Sequence, residues 1–316
     1  MNKEKFEKYI ITAGFSYLDI DAYACMIAMA ELLRMQGQDA IAYSSAHTNY
    51  SVCNSLIKKE QHIVQVLPVK YSNQKTNFVI VDVSDPEFLE KNISPDDVTA
   101  VYDHHVGFER YWKDRIGDGS HIEFIGAAAT LIFQEWKRAG LQDKMSRDTA
   151  ELLIAAILDN TLNLRSSNTT DEDRIAFNEL CSTYNIDSEW CSRYFWEVQK
   201  NIEADLKGAL LGDVKLVRDN EILPSKIGQL AVWDAERILG KLPMISCWFN
   251  DRFDEWMINI IDIRNGCCYF VCEDGYHMRR IERVFGGQFD DNILKTKALY
   301  LRKEIIKKTK KYGGCV

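Results

Sequence analysis

The chain has 316 residues, which at about 150 residues per domain points to two domains and excludes a single small module. Hydrophobic residues make up 46% and charged residues 27% of it, ordinary globular values that exclude a disordered chain. Against 39 Lys and Arg stand 47 Asp and Glu, a formal charge of -8. That balance excludes a generally basic surface for duplex nucleic acid, so any polyanionic substrate must be gripped locally.

The first strand candidate is residues 9–13, followed by an apolar-periodic helix over residues 20–36. Residues 39–44, 64–67, 78–83 and 98–102 read as further strands, with helices expected over 50–59 and 85–92. This β-α-β alternation predicts an α/β domain: a parallel sheet with helices on both faces and ligands at the carboxyl ends of its strands. Helices are expected over 127–139, 146–162, 171–184 and 188–211. Beyond residue 215, strand-like runs at 227–233, 244–249, 256–263 and 268–272 and a helix over 290–311 predict a smaller α+β domain. The expected division is 1–187, a helical linker over 188–214, and 215–316, with the active site in the cleft between the domains.

The apolar run over residues 10–15 is too short for a signal peptide, and no run reaches the roughly 18 apolar residues of a membrane helix. The nine cysteines are odd in number and form no Cys-x-x-Cys pair, which fits reduced thiols in a cytoplasmic protein. Cys267, Cys268 and Cys272, with His277 beyond, read as a buried strand rather than a metal site. The cations between residues 295 and 311 read as a solvated helix face.

Four segments place Asp or His at the end of an apolar run: Asp19-Ile20-Asp21, Asp82, Asp103-His104-His105, and Asp159. Strand ends of one parallel sheet share an edge, so these groups converge there. Like charges so gathered repel, and a divalent cation is the natural counter-charge. Carboxylates with one or two imidazoles suit Mn²⁺ or Mg²⁺ better than structural zinc, with one or two ions allowed by the count.

With these motifs in this order, the sequence resembles the DHH phosphoesterase superfamily over residues 9–175. The first motif resembles Asp19-Ile20-Asp21-Ala22 and the second Val81-Asp82. Asp103-His104-His105 is similar to the motif that names the family, and residues 158–166 with Asn168 and Asp173 to the fourth. Ile125-Gly126-Ala127-Ala128 is similar to a small-residue segment between the third and fourth. The resemblance implies that Asp19 binds a first metal and Asp21 a second, with Asp82 bridging and His104 and Asp159 completing the second site. It further implies Asp103 as the acceptor that fixes the His104 ring, and His105 as the group facing the phosphoryl oxygens or moving a proton.

Arg165 beside the fourth motif is a phosphate contact by the same resemblance. The second domain is more faintly similar to the DHH-associated C-terminal domain. There Gly286 and Gly287 are expected to offer N–H groups to phosphate near a helix start, with Arg279, Arg280 and Arg283 as the grip. One departure stands out: the family's His four residues before the first Asp is Phe15 here, which cannot coordinate. The implied activity is hydrolysis of a small phosphorylated molecule, such as a nucleotide, short single-stranded oligonucleotide or cyclic dinucleotide. Inorganic pyrophosphate or polyphosphate is the alternative substrate, and a nucleotide-binding protein with impaired catalysis the alternative class. No membrane partner is expected, and the oligomeric state stays open, a homodimer included.

Overall fold

Four largely apolar runs form strands β1 (Lys8–Thr12), β2 (Asp39–Ala42), β3 (Asn77–Val81) and β4 (Val98–Asp103), and the short polar segment β5 (Ser120–Ile122) completes one sheet with them. The computed structural model describes residues 7–58, 63–68, 71 and 76–313. All pairings in this sheet are parallel, in the order β2-β1-β3-β4-β5. The chain leaves β1 for β2 on one side and returns to β3 on the other. The carboxyl ends of β1 and β3 therefore flank the point where strand order reverses, the ligand position of open parallel sheets.

Helix α1 (Ile20–Met35) starts at Asp19, whose side chain accepts from Ala22 N, and is buried at every position from Ile20 to Ala30. Its alternating small residues let it lie against helices α3 (Ala128–Arg138) and α4 (Arg147–Asn160). On the sheet, Ile10, Ile80 and Val101 join one apolar cluster with Trp112 from helix α2 (Glu109–Ile116). Burying this cluster is the main local driving force, at about 25 cal/mol per Å² of apolar surface. Helix α5 (Asp171–Tyr184) opens with a capping box between Thr170 and Asp173 and ends at Asn185 in the left-handed region.

The chain divides into two compact units, Met1–Tyr194 and Phe195–Val316, and the division falls inside helix α6 (Ser188–Ala204). The second unit holds a mixed sheet, β10-β9-β8-β7-β6, built from β6 (Lys215–Leu216), β7 (Lys226–Val232), β8 (Trp256–Asp262), β9 (Cys267–Cys272) and β10 (Ile293–Lys295). Only β7 and β8 pair in parallel. The helices of this unit are α7 (Leu206–Gly212), α8 (Glu236–Leu239), α9 (Leu242–Asn250), α10 (Gly275–Phe285) and α11 (Arg302–Gly313). Cys267, Cys268 and Cys272 are buried within β9, as a strand reading requires.

Several element expectations are corrected. The run at 244–249 is helical within α9, because Pro243 sits in the first turn and Leu242, Ile245, Ser246 and Phe249 are buried at helical spacing. The expected helix over 290–311 begins only at Arg302, and its first part is β10 paired to β9. The expected helices near 50 and 85 shrink to single 3-10 turns at Asn54–Leu56 and Pro86–Phe88, residue 59 lying outside the described residues. Of the expected strand at 64–67, only Val64 pairs, in a bridge to Tyr43. The helix over 188–211 is interrupted at Asp205, which caps α7. Helices α2 and α10 and the short strand β5 had no counterpart in the sequence reading.

Candidate metal centre

Asp21 projects from the first turn of α1 and is 0% exposed. Its two oxygens accept the backbone N–H groups of Ala128 and Ala129, each at 2.8 Å, at the start of α3. A helix N-terminus offers unpaired donors and positive dipole to a buried carboxylate. The small-residue segment noted in the sequence is thus the seat of the first motif. Its Gly126 N–H donates to Asp173 at 2.8 Å, and a Cβ added there would lie 2.5 Å from Asp173 Oδ2.

Asp82 follows β3 with a φ of 57°, the left-handed region that Asp and Asn enter more readily than other side-chain-bearing residues. Its N–H is tied to Tyr102 O at 2.8 Å, fixing it beside the end of β4. Its carboxylate is 6% exposed, and Oδ1 accepts no hydrogen bond among the described residues. Facing that oxygen at 3.4 Å is His104 Nε2, which also lies 4.0 Å from Asp21 Oδ2. The other ring nitrogen of His104, Nδ1, is 3.2 Å from the Ile125 carbonyl, which can only accept. Nδ1 therefore carries the hydrogen, and in the neutral ring Nε2 presents a lone pair toward an unbonded carboxylate oxygen.

This geometry corrects one expectation. Asp103 does not hold the His104 ring: its Oδ1 accepts His105 Nδ1 at 2.9 Å and the backbone N–H groups of His104 and His105 at 2.8 and 3.1 Å. The carboxylate folds back over the two peptides that follow it, and the nearer imidazole on that side is His105. The Ile125 carbonyl does for His104 what Asp103 was expected to do. Ser84 Oγ adds a bond to His105 O at 3.2 Å.

The electrostatics follow from burial and repulsion. Burial, opposed by the His104 ring and reinforced by Asp19, raises Asp21 above the usual carboxylate range. Burial, then Asp19 and Asp21, push Asp82 well above it. Burial also drives Asp159 up to about 7, a rise that a hydrogen bond from Tyr194 opposes and the charges of Asp19 and Asp21 reinforce. For Asp103, burial is outweighed by the bonds from His105, and the group stays below its ordinary value. The bond to Asp103 in turn raises His105.

Asp82, His104 and His105 offer donor atoms all within 4.8 Å of one another, with Asp21 adjoining through His104. Asp19 caps α1 and acts on the group through its charge. Asp159, at the end of α4, is bound at Oδ1 by the Tyr194 hydroxyl at 3.0 Å. Tyr194 escaped the sequence reading, being 35 residues away on α6 with no motif around it. Also missed were Asn49 and Ser51: Ser51 Oγ accepts Ile20 N at 2.9 Å, and Asn49 Oδ1 holds Ser51 at 2.9 Å through N and 2.7 Å through Oγ.

The remaining predicted residues lie elsewhere in their units. Leu162, Asn163 and Leu164 have φ of 48°, 60° and 59° and carry the chain to the exposed Arg165. In the second unit, Arg279 is exposed on α10, and Arg280 donates to Glu221 O at 2.6 Å while lying over the Tyr276 ring. Arg280 and Arg283 line a cavity of about 510 Å³ with Glu221, Lys310 and Tyr312. Gly286 and Gly287 correct another expectation: they follow the carboxyl end of α10, and no helix starts there until Arg302. Gly286 N–H is consumed by Glu282 O at 2.8 Å, so this turn is not a helix N-terminus. Phe15 is 38% exposed and stacks on Phe88 with ring centres 6.3 Å apart.

A buried carboxylate oxygen without a hydrogen bond, an imidazole nitrogen facing it at 3.4 Å and three further carboxylates acting on the group suit a divalent cation. Hard oxygen donors with imidazole and no thiolate are the chemistry of Mn²⁺ or Mg²⁺. The class defined here is a parallel-sheet protein with an acidic, imidazole-bearing site at its strand-order reversal.

No family model matches the sequence. The chain is 24% identical to a manganese-dependent inorganic pyrophosphatase of Methanothrix thermoacetophila, over 94% of this chain and 96% of that protein. It is 23% identical to a Listeria monocytogenes protein assigned the same activity, over 92% and 94% of the two chains. Its fold is similar to a Methanococcus jannaschii protein assigned to the family II inorganic pyrophosphatases (TM-score 0.57, 18% identity, 96% and 99% coverage). An exopolyphosphatase-related protein of Bacteroides fragilis is also similar in fold (TM-score 0.52, 15% identity, 99% and 94% coverage). Over nearly its whole length the chain is thus similar in sequence to manganese-dependent inorganic pyrophosphatases and in fold to a family II pyrophosphatase.

Proposed function

We propose that this chain is a manganese-dependent phosphohydrolase, Mg²⁺ being the alternative ion, that cleaves a small phosphorylated molecule. The observation that carries the proposal is Asp82 Oδ1, without a hydrogen bond and facing His104 Nε2 at 3.4 Å. Asp82 and His104 would hold the ion together with Asp21 and Asp159, with Asp19 supplying further negative charge beside them. When bound, the ion supplies Lewis acidity to a phosphoryl oxygen and a water of lowered pKa. His105 keeps its hydrogen on Nδ1, against Asp103, which leaves Nε2 as the free nitrogen of a side chain 66% exposed. That nitrogen would exchange a proton with the phosphoryl or leaving oxygen, and Asp103 would stabilise the imidazolium. Arg165, Arg279, Arg280 and Arg283 are the proposed phosphate contacts, and residues 215–316 the proposed substrate domain.

Among substrates we favour inorganic pyrophosphate, the substrate in the names of the full-length relatives, with small phosphate esters second. Phe15 supports a site holding one ion tightly, since it removes an imidazole the superfamily resemblance implies. It also motivates the second reading, a nucleotide-binding protein without turnover. Phosphate release by the purified chain with Mn²⁺ tests both, over a panel of pyrophosphate, tripolyphosphate, a 3',5'-bisphosphorylated nucleotide, a dinucleotide and an aryl phosphodiester. Turnover of at least one member, abolished by His104→Ala and by Asp159→Ala, is expected. Turnover of none refutes the enzyme reading.

A further inference from the structure

We infer that Tyr194 is a positioning residue of the proposed cation site, an assignment that rests on the reading given above. Tyr194 is 4% exposed on α6, and its hydroxyl lies 3.0 Å from Asp159 Oδ1 and 3.3 Å from the Ser51 carbonyl. The carbonyl only accepts, and a phenol has one hydrogen to give. An ionised Asp159 takes that hydrogen, because a charged acceptor binds about twice as strongly as a neutral one. Oδ1 is thereby occupied, leaving Oδ2 as the oxygen without this partner.

Ser51 links this contact to the first motif. Its Oγ accepts the N–H of Ile20, the residue between Asp19 and Asp21, while its carbonyl faces the Tyr194 hydroxyl. On the same segment, Leu18 N donates to His47 O at 2.9 Å and Asn49 N to Leu18 O at 2.7 Å. Residues 47–51 are therefore bonded to the first motif at Leu18 and Ile20 and adjoin the Tyr194–Asp159 pair through the Ser51 carbonyl. A carboxylate among like charges would otherwise turn away from the group, and outer partners of this kind commonly set ligand orientation. Ring stacking of Trp190 on Tyr194, with centres 6.4 Å apart, restricts the phenol further.

The test is a Mn²⁺ titration of the full chain, read by the paramagnetic resonance of free Mn²⁺, for wild type and Tyr194→Phe. Loss of the hydroxyl is expected to weaken Mn²⁺ binding by about 10- to 100-fold, the usual effect of removing a ligand's outer partner. The melting temperature of the chelated variant should stay within a few degrees of wild type, and added Mn²⁺ should restore the lost turnover. Unchanged Mn²⁺ affinity in the variant overturns this inference alone. So does a loss of affinity accompanied by collapse of the chelated protein, which would make Tyr194 merely structural. Absence of Mn²⁺ binding by wild type overturns the cation-site reading, and this inference with it.

Discussion

Asp82 combines three unfavourable features at one residue: a left-handed backbone, a buried carboxylate and an oxygen with no hydrogen bond. Such strain persists where surrounding structure enforces it and is commonly part of a site's function. Asp82→Asn keeps the shape and tolerates the same φ while removing the charge. In chelator, the variant is expected to be more stable by about 1 kcal/mol, or roughly 2–4 °C in melting temperature, because buried repulsion is relieved. With Mn²⁺ present the order should invert, since only the wild type gains from the ion. Differential scanning fluorimetry with and without Mn²⁺ measures both, and a variant less stable in chelator would contradict the repulsion argument. The identity of Asp82 as a site residue was legible in the sequence, because an Asp ending the run Phe78-Val79-Ile80-Val81 is a local signal. Which imidazole pairs with Asp103 was not legible, since ring orientation depends on the Ile125 carbonyl, 21 residues away.

At the scale of elements, the site depends on the start of α3 as much as on the strand ends. Ala128 and Ala129 hold Asp21, while Gly126 N and Thr130 Oγ1 are tied to Asp173 at 2.8 and 2.6 Å. Gly126→Ala would push a Cβ to 2.5 Å from Asp173 Oδ2 and 2.6 Å from Thr161 Cγ2. A destabilisation of about 1–3 kcal/mol is expected from this overpacking, measured by urea denaturation. Mn²⁺ affinity should fall with it, because the displaced turn carries the donors to Asp21. The sequence marked this small-residue segment by resemblance and gave it no physical task; the task is visible only once α1 and α3 are packed together. Elements with local determinants were legible, as in α5, where the Thr170 and Asp173 capping box sits at the first turn. The six-residue run at 244–249 was misread as a strand, because a short apolar run fits either period and Pro243 was the deciding signal.

For the whole molecule, the excess of acid works against the metal-free fold. Asp159 has an ordinary value of 3.8 and is driven up to about 7, with Asp21 and Asp82 also raised. A raised carboxylate means that the folded chain binds more protons than the unfolded chain between those values, so stability falls as pH rises through them. Chelated protein is therefore expected to lose melting temperature steadily from about pH 4 to pH 7, while Mn²⁺-loaded protein should lose less or gain. A chelated protein more stable at pH 7 than at pH 5 would contradict this account. The acidic composition thus carries two expectations: it argues against a generally basic surface, and part of it forms the proposed site, which a bound cation would make attractive to phosphate. The central claim is that the edge of the parallel sheet holds a divalent cation between Asp82 and His104. Anomalous diffraction at the manganese edge from crystals grown with Mn²⁺ tests it most directly: a peak within bonding distance of Asp82 Oδ1 and His104 Nε2 is predicted, and manganese bound only elsewhere, or not at all, would contradict it.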